Sequence, residues 1–406
     1  MKNSSYATVL DYIDANWDRS IYRDANGSGF DGVDLPYPYT SPCIAGEGHF
    51  SFFFYWDTYF TNVGLLKCGR ADVAKSNITN IVWFIENQGY MPNHPAIWNR
   101  SQPAFLCRMV RDYFEFTDDS DEAFRKRCIH AIRAEYDFWM LARCSPTGLT
   151  RHGHHGDAAT SVAFYDKFYD RIGLPQDVPE AEKIRSGGHS LAEAETGWDF
   201  NPRFGGRCMD FNEVTINALL YEYEIFLAEH APRYGWTLVD YAKNARLRRE
   251  RMTHWLWNSE RRLFLDYDFV NGVSSSIAAL AGFVPLFTGV ATPEQAAHQR
   301  DGLPLFEREF GIAVTEEYDS AIAHQWAFPK CWPPLVYMTV EGLRRYGFHD
   351  DAARIARKYL DTNARLFAAT GKLWEKTNAL TGEIDTTEYA AAPMLGWSAG
   401  VFVAFA

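Results

Sequence analysis

The stretch that decides the fold is Trp56-Asp57-Thr58-Tyr59-Phe60-Thr61-Asn62-Val63-Gly64-Leu65-Leu66-Lys67-Cys68, and Gly69 follows it directly. Its apolar residues recur at three- and four-residue spacing, which predicts a helix, and Gly69 is a typical stop signal. The same spacing occurs in nine further segments, at residues 6–17, 73–88, 102–116, 121–144, 213–229, 237–257, 334–346, 350–367 and 396–405. Helices therefore dominate the chain.

Four long segments between these helices carry no helical periodicity, at residues 20–55, 148–198, 286–323 and 370–395. Loops of this length in a compact protein are usually functional or disordered, and the Trp, Arg, His and Asp content of these four is not typical of disorder. No Gly/Ser linker or strict repeat divides the chain. The pattern predicts one domain over residues 1–406, an all-α toroid with long active-site loops at one end.

The charge balance and the cysteines exclude several classes of protein. The net charge is -12, and no basic stripe is present, which argues against nucleic acid or an anionic membrane as a partner. Seven cysteines occur without a CxxC pair, so neither a zinc site nor a disulfide framework is indicated. The run His152-Gly153-His154-His155 is a weak metal motif, and a solvated loop is the better interpretation. Without a signal peptide or an apolar span in the sequence, we expect a soluble, cytoplasmic protein.

Two acidic residues stand in aromatic surroundings. Asp199 follows Gly197-Trp198, where partial desolvation raises the pKa of a carboxyl group; the alternative is an ordinary helix cap. Glu388 lies in a loop before the last predicted helix, with Glu375 among its local competitors, and the alternative is a solvated side chain. Two carboxylates among aromatic rings are the equipment for cleaving a glycosidic bond.

Other polar residues of the loops are suited to bind sugar hydroxyls. Asp57 follows an aromatic run and needs a partner. Sugar binding is as good an explanation as a helix N-cap or a buried salt bridge. Asn93, Arg100 and Gln102 lie in one loop that leads into a helix, and the alternative is that Arg100 is solvated. Gln325 precedes Trp326 in a proline-rich loop.

Five motifs occur in the order found in the trehalase family of glycoside hydrolases (family 37), which the chain resembles together with the related family 63 of glucosidase I and mannosylglycerate hydrolase. They are Tyr55-Trp56-Asp57-Thr58-Tyr59-Phe60, Pro92-Asn93 with Asn99-Arg100-Ser101-Gln102-Pro103, Glu195-Thr196-Gly197-Trp198-Asp199, Gln325-Trp326 with Trp332-Pro333-Pro334, and Glu388-Tyr389 with Gly396-Trp397-Ser398. The resemblance implies an (α/α)6 barrel and an inverting, exo-acting α-glycosidase that needs no cofactor. Asp199 would be the general acid and Glu388 the general base, about 6.5–9.5 Å apart to admit water. The implied substrate-binding residues are Tyr55, Trp56, Asp57, Asn93, Arg100, Gln102, Trp198, Gln325, Trp326 and Trp397.

The chain also departs from the family pattern at positions of the sugar pocket. Ser51 and Phe52 replace a usual Arg and Glu, Ala327 replaces an Asp, and His94-Pro95 replaces Gly-Asn. The region around Pro179-Glu180 lacks a match to the family's Arg-Pro-Glu. A small α-glycoside other than trehalose, or a glycoside of an acidic aglycone such as glycerate, is therefore equally open.

Two other classes remain as alternatives. Sugar 2-epimerases also use α/α barrels with histidines as acid and base, and His154, His155, His189 and His324 are available for that chemistry. A sugar-binding protein without catalysis is the third class, because the family's pocket Arg and Glu are missing. The oligomeric state is not indicated by the sequence.

Overall fold

The computed structural model describes residues 4–22, 35–48 and 50–406. Fourteen α-helices occur there: α1 Ser4–Asn16, α2 Tyr55–Lys67, α3 Ala71–Gln88, α4 Leu106–Phe116, α5 Glu122–Ala142, α6 Ala158–Phe168, α7 Glu180–Glu195, α8 Val214–His230, α9 Tyr241–Trp255, α10 Val284–Thr288, α11 Pro293–Asp301, α12 Pro333–Arg345, α13 His349–Thr370 and α14 Gly396–Phe405. None of these described helices is both long and apolar enough to cross a membrane.

The strands of the described chain are two-residue pieces in the loops. They are β1 Ile21–Tyr22, β2 Tyr39–Thr40, β3 Phe211–Asn212, β4 Trp257–Asn258, β5 Leu263–Phe264, β6 Tyr267–Asp268, β7 Val273–Ser274, β8 Glu307–Arg308, β9 Gly311–Ile312, β10 Lys330–Cys331 and β11 Thr377–Asn378. All pairings are antiparallel: β1 with β2, β3 with β6 and β6 with β7, β4 with β5, β8 with β9, and β10 with β11.

Six inner helices form a closed ring. In order around the ring α2 contacts α4, then α8, α10, α12 and α14 follow, and α14 returns to α2. An outer helix precedes each of them in the chain, namely α1, α3, α5, α9, α11 and α13. This is the predicted all-α (α/α)6 barrel. The hairpin α6–α7 is an addition, inserted between α5 and α8.

The inner helices run in the same direction through the barrel. Trp56 in the first turn of α2 and Trp332 before α12 line a large cavity at one end. Tyr59 one turn further along α2, and Arg344 at the end of α12, line a smaller cavity of about 560 Å³. Arginine at the C-terminal end of a helix complements the helix dipole. The large cavity is lined by residues from the loops that precede α2, α4, α8, α12 and α14.

Helices α6 and α7 lie within residues 148–198, where the sequence pattern predicts a loop. Helix α7 contains Gly187-Gly188, a pair that weakens helical propensity. A Cβ atom built on Gly187 would lie 2.0 Å from the backbone oxygen of Ser161 in α6. The close contact between α6 and α7 therefore requires glycine at position 187. The same glycine weakens the helical pattern of α7 in the sequence. The short helices α10 and α11 were missed as well, whereas the ten predicted helices all occur, with ends shifted by a few residues.

The crossing of α2 and α14 depends on glycine at position 400. A Cβ atom there would lie 1.9 Å from the backbone oxygen of Phe60, which has no freedom to move aside. We expect Gly400→Ala to lower the free energy of unfolding by about 3 kcal/mol or more. The matched control is Gly347→Ala, where φ is +82° but no atom lies within 4 Å, with an expected loss of about 1 kcal/mol. Chemical denaturation of both variants measures the difference, and equal losses would contradict the overpacking argument.

Candidate active site

The large cavity has a volume of about 990 Å³, enough for a small glycoside. Its floor consists of indole rings. Trp326 stacks on Trp332 with 3.8 Å between ring centroids, and Trp56 lies 5.4 Å from Trp326. Trp397 completes the group at 6.0 Å from Trp56. Flat aromatic faces of this kind pack against the C–H faces of sugar rings.

Three carboxylic acids line the cavity: Asp57, Asp199 and Glu375. Burial raises the pKa of each. The pKa of Asp57 rises to about 8, and the nearby charges of Glu375 and Asp199 add to the effect of its burial. The pKa of Asp199 is raised by burial against the opposing charges of Arg100 and Arg171. Carboxyl groups with raised pKa values in an aromatic cleft are candidates for proton transfer.

Glu375 is held by hydrogen bonds along one side of the cavity. The hydroxyl group of Tyr389 donates to its Oε1 at 2.6 Å, and the backbone N–H of Ala392 donates weakly to Oε2 at 3.5 Å. Its backbone oxygen accepts from the indole nitrogen of Trp397 at 3.1 Å. Burial raises the pKa of Glu375 to about 7, although the Tyr389 hydrogen bond and the Lys376 charge oppose the shift.

The loop that carries Asp199 is fixed by two glutamates of α7, of which Glu193 is the first. Glu193 accepts from the backbone N–H of Asn201 at 2.6 Å. Gly197 has φ +75°, and a Cβ atom there would lie 2.9 Å from the Trp56 ring. Glycine is therefore required where the Asp199 loop passes over the indole floor.

Glu195 is the fully buried anchor of this region. Its carboxylate accepts from Arg143 Nε at 2.9 Å and Nη2 at 2.8 Å, from Gly153 N–H at 2.8 Å and from Ser101 N–H at 3.1 Å. These partners hold the pKa of Glu195 well below its usual range despite the burial. His152 lies 3.4 Å from Glu195 and is buried, so the expectation of a solvated loop was wrong at His152.

Most residues predicted to bind substrate line this cavity, namely Trp56, Asp57, Asn93, Arg100, Gln102, Gln325, Trp326 and Trp397. Tyr55 and Trp198 do not line it. The Tyr55 hydroxyl donates to Glu135 at 2.7 Å inside the barrel, and Trp198 stacks against Trp326 at 5.8 Å from behind. Both therefore support the site from within the core.

Glu388 is not among the residues that line the cavity, although its neighbour Tyr389 is. Its carboxylate bonds to Lys376 and lies 3.3 Å from Lys330 Nζ, and both lysines are buried. Glu375, thirteen residues earlier, lines the cavity instead. The sequence pattern could identify Glu375 only as a competitor, because Lys330 is remote in the chain and its pairing with Glu388 is invisible without the fold.

The sequence also gave no indication of Lys167 and Arg171, which the α6–α7 hairpin brings to the cavity. The signal that could have found them is helical spacing. The cavity-lining residues of this segment lie at positions 160, 163, 164, 167, 168 and 171, which form one face of a helix. Phe52, which replaces the family's Glu, stacks on His94 at 4.8 Å.

None of the four histidines proposed for an epimerase, His154, His155, His189 and His324, lines the cavity. Among the described residues, His94 alone of the histidines lines the cavity, and burial lowers its pKa to about 4. His189 accepts from the backbone of Met209, and His324 pairs with Tyr318. In the same described part of the chain, no three His, Cys, Asp or Glu side chains are arranged to hold a metal ion.

An α/α barrel with carboxylic acids over an indole floor defines the class as glycoside hydrolase. The sequence profile of the trehalase family matches residues 2–406, and the chain belongs to that family. The fold is similar to neutral trehalase from Saccharomyces cerevisiae, at 24% identity and a TM-score of 0.77, covering 98% of this chain and 79% of that one. It is also similar to a family 63 mannosylglycerate hydrolase from Thermus thermophilus, at 18% identity and a TM-score of 0.66, covering 97% of this chain and 99% of that one.

The anchor role of Glu195 predicts a large loss of stability on neutralising it. In Glu195→Gln the charge of Arg143 is left buried without its partner, and we expect a loss of about 3–5 kcal/mol in the free energy of unfolding. Guanidinium denaturation measures the loss. The control is Glu182→Gln in the exposed ion pair with Arg185, which leaves the midpoint unchanged. Equal midpoints in the two variants would contradict the assignment.

Proposed function

We propose that the protein is an inverting, exo-acting α-glycosidase that hydrolyses a small α-glycoside, with Asp199 as general acid and Glu375 as general base. The observation that carries the proposal is that both carboxyl groups line one cavity over an indole floor. Inversion requires about 6.5–9.5 Å between them, which leaves room for the attacking water. We infer one catalytic domain over residues 1–406, because the main hydrophobic core extends from Val9 to Ala404 and the second cluster, around Phe204 and Phe211, is small.

Glu375 replaces Glu388 in this assignment because of what each carboxylate contacts. A general base must reach a water molecule near the anomeric carbon. Glu388 is committed to two buried ammonium groups, whereas Glu375 faces the cavity and accepts a hydrogen bond from Tyr389. Lys376 also lies 3.7 Å from the centroid of the Tyr389 ring, so the Glu388–Lys376 pair positions the tyrosine that orients the base.

Four other polar residues that line the cavity fit the sugar that is cleaved. Asn93, Gln102 and Gln325 offer amide groups, and Asp57 with a pKa of about 8 is protonated at neutral pH, so it can donate as well as accept. The packed indole rings close the floor of the cavity, since Trp56 and Trp332 are each 1% exposed. A cavity with a closed floor can hold the terminal sugar of a glycoside but not an internal one, which supports exo action on a short glycoside.

A cytoplasmic location is part of the proposal. The seven cysteines are all free thiols in the described structure, and most of them are buried in the core. Free thiols are typical of a reducing compartment.

The first test is a time course of α-glycoside hydrolysis followed by NMR, with trehalose, kojibiose, nigerose, maltose, isomaltose, sucrose, glucosylglycerate and mannosylglycerate. Initial release of the β-anomer from one of them is the expected result. Asp199→Asn and Glu375→Gln should each lose at least about 100-fold in kcat while they stay folded. Glu388→Gln is the matched control: it should melt earlier, because two buried lysines lose their partner, and keep more activity than Glu375→Gln. If Glu388→Gln lost more activity than Glu375→Gln, Glu388 would be the better candidate for the general base.

The pH profile gives a second test. The Tyr389 hydrogen bond favours the ionised form of Glu375 and so lowers its pKa. In Tyr389→Phe that hydrogen bond is absent, the pKa of Glu375 rises above about 7, and a higher pH is needed to ionise the base. The acid limb of kcat/KM should therefore move to higher pH. An unchanged acid limb would show that the ionisation of a group other than Glu375 controls it, and would contradict the assignment of Glu375 as the base.

A further inference from the structure

One face of α6 forms the wall of the cavity beside Asp199. Phe164, Lys167 and Phe168 of that face line the cavity, and Arg171 continues the face just beyond the helix. The wall is joined to the Asp199 loop, because Phe168 packs on Phe200 with 5.3 Å between ring centroids. Residues that project from this wall therefore lie on the same side of the cavity as the proposed acid.

Arg171 projects into the cavity with most of its hydrogen-bonding capacity unused. Its Nη2 donates to the side-chain oxygen of Gln325 at 2.6 Å, and its guanidinium lies 4.3 Å from the Phe200 ring centroid. Within the described residues, no carboxylate lies at ion-pair distance from Arg171 or from Lys167. A guanidinium has five N–H donors in a planar fork that matches carboxylate and phosphate oxygens. This fork is open to a ligand.

Arg100 adds a second guanidinium without a carboxylate partner among the described residues. It is buried, its Nη1 donates to the amide oxygen of Asn99 at 2.9 Å, and its Nε has no hydrogen-bond partner. Its charge acts on Asp199, as does that of Arg171. Two guanidinium groups therefore act on Asp199, although the net charge of the whole chain is -12.

We propose that the leaving group of the substrate, the aglycone, carries an anionic group, a carboxylate or a phosphate, that Arg171 binds, with Lys167 assisting at the rim. The inference rests on the proposed function: the general acid protonates the oxygen of the leaving group, so the aglycone lies on the Asp199 side of the scissile bond. The Arg171 guanidinium is nearer to Phe200, the residue after Asp199, than to the Tyr389 ring, at 4.3 Å against 5.7 Å from the ring centroids, and its charge acts on Asp199. Lys167 lines the cavity from the same face of α6. The glycon would occupy the indole floor.

The experiment compares glycosides that differ only in the charge of the aglycone. One pair is α-glucosylglycerate and α-glucosylglycerol, and the other is trehalose 6-phosphate and trehalose. We expect kcat/KM to be at least about tenfold higher for the anionic member of one pair, because hydrogen bonds to charged groups are strong. The pair with the larger anionic-to-neutral ratio of kcat/KM shows whether the site prefers a carboxylate or a phosphate on the aglycone. Raising the ionic strength should reduce that ratio.

Variants separate recognition of charge from support of the fold. Arg171→Gln should reduce the anionic-to-neutral ratio about tenfold, whereas Arg171→Lys should retain part of it. A structural role through Gln325 would lower activity on both members alike and leave the ratio unchanged. Arg185→Gln, an exposed position on α7 outside the cavity, is the control and should keep the ratio of the wild type.

Failure of this inference is distinguishable from failure of the proposed function. Hydrolysis of the neutral and anionic members with equal kcat/KM overturns the anionic aglycone and leaves the α-glycosidase in place. If the wild type hydrolyses neither pair, isothermal titration with the same four glycosides decides. Tighter binding of an anionic member to the wild type than to Arg171→Gln supports the inference, and equal binding overturns it.

Discussion

The buried carboxylate of Glu195 is the interaction on which the site depends. It accepts hydrogen bonds from Arg143 after α5, from Gly153 in the loop before α6, and from Ser101 before α4. It also ends α7, four residues before Asp199. One carboxylate thus joins four segments that approach the cavity from different parts of the barrel. An unpaired charge at this depth is strongly unfavourable, so the segments stay together or the region unfolds.

The fold was largely predictable from the sequence because most helices present a strong periodic pattern. Helix α14 is apolar on nearly every side, as expected for a helix enclosed by others, and α2 has twelve buried residues of thirteen. The exceptions have a physical cause. Helix α7 contains a glycine pair, of which Gly187 is explained by the contact with Ser161 of α6 and Gly188 by the close approach of His154. Local propensity opposes a helix at that position, and tertiary packing overrides it.

The site was predictable where its residues lie next to an inner helix, as with Trp56, Gln102 and Trp397. It was not predictable where pairing is decided across the barrel. Glu375 and Glu388 lie in the same loop region, and each has an aromatic residue next to it in the sequence, Trp374 and Tyr389 respectively. What distinguishes them is Lys330, located before α12, whose ammonium group lies by Glu388. Sequence spacing carries no information about such a contact.

The proposed base and the proposed acid, Glu375 and Asp199, differ in their hydrogen-bond donors and in the charges around them. Glu375 accepts a hydrogen bond from the Tyr389 hydroxyl, which favours its ionised form. Among the described residues, no side chain hydrogen-bonds to the carboxyl group of Asp199. The charges of Arg100 and Arg171 and a backbone hydrogen bond oppose the effect of burial on its pKa. An anionic aglycone on Arg171 would neutralise one of those charges. The pKa of Asp199 would then rise further, so binding of the proposed substrate would itself favour the protonated acid that cleavage requires.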